Sequence, residues 1–95
     1  MADAAGTTTV SLECVNSEFN KADAELNVAY QQRMKLIQPY RRNDLRDVQQ
    51  LWIRYRDGKC GLFYHKQSGF GGLLDAQQCM LDETLLRTAE LKALY

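Results

Sequence analysis

A single proline, Pro39, interrupts the 95-residue chain. No apolar run approaches the roughly 18 residues that a membrane-spanning helix needs, so membrane insertion is not expected. Histidine is almost absent too: His65 stands alone, in a glycine-rich segment, with no carboxylate or nucleophile at a spacing that would make it catalytic. The motifs CxxC, HExxH, GxGxxG and the phosphate-cradling P-loop do not occur. Cys14, Cys60 and Cys79 lie too far apart for a zinc motif, and the acidic pair Asp82–Glu83 reads as a solvated helix face. Catalytic residues, metal ligands and cofactors are therefore not expected, and the chain reads as a non-enzyme.

Excess charge is missing as well. Net charge is zero, whereas a nucleic-acid-binding chain is expected to be basic, so no nucleic-acid partner is expected. The balance is uneven along the chain. Residues 1–40 carry three cationic and five anionic side chains, residues 41–66 seven and three, and residues 67–95 two and four. Either the helices neutralise one another on packing, or the middle segment offers a basic face to an anionic partner. The start, Met1–Thr9, lacks the basic and apolar regions of a signal peptide. That leaves a cytoplasmic protein, or the mature form of an exported one.

What is present is helical pattern. Leu45, Val48, Trp52 and Tyr55 recur at steps of three and four and predict a helix over about 44–59. Asn43 or Asp44 can cap it, because a short polar side chain accepts from the free N–H groups of a first turn. Leu12, Val15, Phe19, Ala22, Leu26, Ala29 and Leu36 predict a longer helix over about 10–38, on the order of 42 Å at helical rise, with residues 1–8 frayed. That length suggests that one end projects or pairs with a partner, a second copy included. Pro39 forces Gln38 out of helical geometry and ends it. Leu74, Gln77, Leu81, Thr84 or Leu85, Thr88, Leu91 and Tyr95 mark a third helix over about 73–94. The prediction is one all-α domain over 1–95: a three-helix antiparallel bundle with a long first helix and an irregular crossover. That crossover, Gly61–Gly72, mixes glycines with Phe63, Tyr64, His65 and Phe70, and reads as a lid on the core or as a partner-recognition loop.

Folding the second helix back on the first sets Cys60 level with about Ala22. Cys79 falls near the same height and Cys14 about 12 Å away. A disulfide needs Cα atoms closer than about 7 Å, which favours Cys60–Cys79. Three reduced thiols are the other reading. The same alignment brings Asp23 within about a turn of Arg56, giving a buried ion pair with Asn27 and Gln49 beside it, unless the two charges face solvent separately.

Three blocks carry a family resemblance: CVNSEFNKADAELNVAY (Cys14–Tyr30), LRDVQQLWIRYRDGKC (Leu45–Cys60) and GGLLDAQQCMLDETLLRTAEL (Gly71–Leu91). In order and spacing they resemble the lysozyme-inhibitor LprI-like N-terminal domain family of small bacterial envelope proteins. The resemblance implies a helical, disulfide-bearing domain of the periplasm or exterior, without enzyme activity or cofactor, whose partner is another protein. A lysozyme-like muramidase is the first such partner. An effector bound by an immunity protein or assembly adaptor through the long helix is the second. Members often carry a further Cys before the one matching Cys14; here that region is Asp3–Ala5, so Cys14 has no evident mate. Lysozyme is cationic, and only the acidic flanking segments could supply a complementary face.

Overall fold

Helix α1 spans Ala4–Leu36, starting earlier than the stripe alone predicts and stopping three residues before Pro39. The computed structural model describes the backbone of residues 4–64 and 69–94 and the side chains of 12–64 and 71–94. Gln38 is extended (φ −63°, ψ 138°), as a residue before proline should be. Pro39–Arg41 form one 3-10 turn, which runs directly into α2, Arg42–Gly61. Helix α3 spans Gly69–Ala93. The three helices are the only regular elements besides that turn among the described residues. The all-α, three-helix reading of the sequence thus holds.

Several boundaries differ from expectation. No side chain caps α2: it begins at Arg42 and continues from the 3-10 turn, while Asn43 Oδ1 accepts from Arg46 Nη2 at 2.6 Å. The crossover is shorter than the glycine content suggests. α2 runs through Gly61 and α3 already holds Gly69–Gly72, so packing overrides the weak intrinsic helicity of glycine.

The molecule is elongated and flat, 55 × 25 × 14 Å. α3 is the common neighbour, packed along α1 and against α2, while α1 and α2 touch far less. Most of the predicted stripe on α1 is covered: Ala22, Leu26 and Ala29 are buried and Leu12, Val15 and Phe19 half-buried, while its last member, Leu36, is exposed. Residue pairs fix the direction of α2 against α3. Cys60 meets Cys79, Arg56 meets Thr84 and Gln49 meets Arg87, so positions descend on α2 as they climb on α3.

Polar side chains make much of the α2–α3 seam. On α2 the buried residues are Leu45, Gln49, Arg56 and Cys60; of the expected Leu45–Val48–Trp52–Tyr55 stripe, Leu45 is buried and Trp52 half-buried, while Val48 and Tyr55 are exposed. Arg56 and Arg87 stack on the Trp52 ring at 5.0 and 5.8 Å, and Arg56 also faces Phe19 at 5.7 Å. Such contacts let a guanidinium leave water with its charge still stabilised. Arg87 Nε donates to Gln49 Oε1 at 2.9 Å, and Arg56 Nη1 to the Thr84 hydroxyl at 3.3 Å. Thr84 is wholly buried. Thr84→Val keeps its shape but leaves Arg56 one acceptor short, and should cost about 1–2 kcal/mol in a urea-unfolding midpoint series.

At the far end the core is apolar: Leu26, Ala29, Leu45 and Leu91, flanked by Tyr30, Met34, Ile37 and Trp52. Arginines close the helix ends there. Arg33 donates Nε to the Leu91 carbonyl and Nη2 to that of Lys92, both at 2.8 Å, and Arg42 Nε donates to the Met34 carbonyl at 3.0 Å. These are carbonyls at helix ends, where intrahelical donors run out.

Candidate functional site

The C-terminal end of α2 is held from two directions. Cys60 and Cys79 form a disulfide with Cα atoms 5.4 Å apart, and Lys59 is ion-paired and hydrogen-bonded to Glu83 on α3. Beyond it the backbone tightens through three i→i+3 bonds, Leu62 N–H to Lys59, Phe63 N–H to Cys60 and Tyr64 N–H to Gly61, each 3.2 Å. This anchored turn presents its side chains outward. Leu62, Phe63 and Tyr64 are 84, 48 and 53% exposed, so Phe63 and Tyr64 do not act as a lid on the core. His65 lies outside the described residues. Phe70 falls in the first turn of α3, and its side chain lies outside them too.

The exposed surface continues up α2. Val48, Leu51 and Tyr55 are 50, 61 and 57% exposed, and with Leu62 they follow steps of three, four and seven. One face of the helix is thus apolar and open to water. Large contiguous surfaces of this kind mark interaction sites more often than chance exposure does. The sequence offered Val48 and Tyr55 as core; their exposure is what reveals them as surface.

The expected Asp23–Arg56 ion pair is not made. Arg56 bonds instead to Asp57 (Nε–Oδ1 3.0 Å) and Thr84, because its helix packs on α3 rather than squarely on α1. Asp23 and Arg56 share only the walls of a 330 Å³ cleft between α1 and α2. Asn27 is exposed, and Gln49 serves Arg87. Cys14 is a free, exposed thiol.

The hydrogen bond from Lys59 to Glu83 raises the lysine pKa above its ordinary 10.5, with a smaller contribution from Tyr55. A raised pKa favours the folded state wherever the ammonium is protonated. This contribution is complete through neutral pH and is lost as pH rises through the raised value. Glu83→Gln should return the Lys59 titration toward its ordinary value, read from the ε-methylene NMR shift; an unmoved titration would contradict the assigned cause.

Among the described residues no cluster of His, Cys, Asp or Glu could hold a metal ion, and no helix is long and apolar enough to cross a membrane. What the chain does present is an apolar helix face leading into an anchored aromatic turn. Comparison with known sequences gives that surface a context: the pattern described as lysozyme inhibitor LprI matches residues 1–91. The chain belongs to the LprI lysozyme-inhibitor family. Among curated proteins, the LprI-family chain is similar to an uncharacterized protein of Rhizobium meliloti strain 1021. The two are 32% identical over 100 aligned positions, covering 85% of this chain and 68% of the relative. No solved structure matches it significantly.

Proposed function

We propose that this LprI-family domain is a non-enzymatic protein that binds and inhibits a lysozyme-like muramidase in the bacterial periplasm or outside the cell. Family membership across residues 1–91 carries the reading and supplies the target class. The surface supports protein binding and suggests where it happens: the Leu62–Phe63–Tyr64 turn and the Val48–Leu51–Tyr55 face of α2. Exposed aromatics on a turn fixed by a disulfide give contact area at little ordering cost, which is how tight interfaces place their anchors. Docking of an effector along the long first helix is the less supported reading, because Ala22, Leu26 and Ala29 of the apolar stripe that would pair there are buried.

The test is titration of a lysozyme-like muramidase with the purified domain while peptidoglycan hydrolysis is followed. Inhibition saturating at equimolar domain is expected. Phe63→Asp with Tyr64→Asp should weaken it roughly tenfold or more, as loss of anchor residues does. Full muramidase activity at a large excess of folded domain would overturn the proposal.

A further inference from the structure

The 330 Å³ cleft between α1 and α2 holds two opposite charges that the fold leaves unsatisfied. Arg56, on the α2 side, is only 8% exposed, and its guanidinium is fixed against the rings of Trp52 and Phe19. Nε donates to Asp57 at 3.0 Å and Nη1 to Thr84 at 3.3 Å. Nη2 donates to no described residue, and unlike Arg87 Nη2 it is not sealed inside the protein. Arg56 lines the cleft, so Nη2 is the donor it offers there. Asp23, on the α1 side, is half-buried and makes no hydrogen bond or ion pair among the described residues. A largely buried arginine with a free N–H beside a half-buried carboxylate with no donor calls for an explanation.

We propose that this cleft binds a small zwitterion of the α-amino-acid kind, its carboxylate on Arg56, its ammonium on Asp23 and an aliphatic side chain against Ile53. The volume lies at the lower end of the roughly 300–1,000 Å³ of small-molecule sites, which suits an amino acid. A carboxylate supplies the acceptor that Nη2 lacks and an ammonium the donor that Asp23 lacks, each in a charge-assisted bond. A simple anion would meet Asp23 as a like charge, and a simple cation would meet Arg56 and Arg46, so a ligand carrying both charges is the one that fits both walls. Ile53 is 37% exposed and gives the cleft an apolar surface. The walls include none of the residues of the proposed muramidase surface, so the two sites are independent.

Trp52 is the sole tryptophan, and Arg56 lies 5.0 Å from the centre of its ring, so its fluorescence reports on the cleft. Leucine titrated into the domain should give a saturable change at one molecule per chain, confirmed by calorimetry. N-acetylleucine lacks the ammonium and leucinamide lacks the carboxylate. Each should bind about tenfold more weakly, having lost one charge-assisted bond. Arg56→Lys should weaken leucine binding, but Arg56 is buried and that variant can unfold. Asp23→Asn breaks no bond within the described residues, so its circular dichroism should be unchanged. It should weaken leucine about tenfold while N-acetylleucine binds no worse, a selective loss that general loosening of the fold would not give. Absence of saturable leucine binding, equal affinity for N-acetylleucine, or unchanged leucine affinity in folded Asp23→Asn would overturn the proposal.

Discussion

Opening the Cys60–Cys79 bridge should lower stability by about 3 kcal/mol, the loop-closure entropy returned to the unfolded chain when a loop of this length is freed. The bridged residues are 19 apart in sequence. For a domain of this size the loss corresponds to a melting temperature lower by roughly 12–24 °C. Among the described residues, the neighbouring polar links between α2 and α3 at this end are the partly exposed Lys59–Glu83 pair and the Arg56–Thr84 hydrogen bond. The measurement is thermal unfolding of a Cys14→Ser background, which removes the exposed free thiol, with and without reductant. Coincident melting curves would show that the bridge does not constrain the chain.

Leu91→Ala should be comparably severe, at about 3 kcal/mol or somewhat more, because deleting a buried leucine side chain loses its transfer free energy and leaves a cavity. Leu91 is wholly buried and meets Leu26, Ala29 and Leu45, so it is the point where all three helices share one apolar core. Its carbonyl still accepts from Arg33 after the change, so the loss reports packing alone. Leu86, 62% exposed on the same helix, is the control: Leu86→Ala should move stability by no more than about 0.5 kcal/mol. Denaturant midpoints of the two variants would separate these outcomes. Position 91 lies about 18 Å along α3 from Cys79, so this loss and that of the disulfide should be additive to within about 0.5 kcal/mol.

Local rules made the element order legible. Gln38 is extended ahead of Pro39, as that proline demands, and the middle of the apolar stripe on α1, Ala22, Leu26 and Ala29, is buried. The face of α2 was not legible from hydrophobicity. Val48 and Tyr55 are apolar or aromatic and lie outside, while Gln49 and Arg56 are polar and lie inside. The reason is in α3: Arg87 bonds to Gln49, Thr84 accepts from Arg56, and both arginines stack on Trp52. A periodicity count cannot anticipate polar groups whose partners lie 28 or 38 residues away in sequence. The same rotation of α2 explains why Asp23 and Arg56 do not pair, and why residues read as core became candidate contact surface. The start of α3 was hidden by glycines that packing carries into a helix. Phe63 and Tyr64 were legible as aromatics on a connection, but their exposure depends on how the disulfide and three backbone bonds turn the chain outward.

The central claim is that this domain acts by binding a muramidase through the end of α2. Hydrogen exchange read by mass spectrometry, with and without a saturating lysozyme-like muramidase, tests it most directly. Slowed exchange in peptides covering residues 48–64, with α3 unchanged, is the predicted result. Identical exchange across the whole chain in the presence of the enzyme would contradict it.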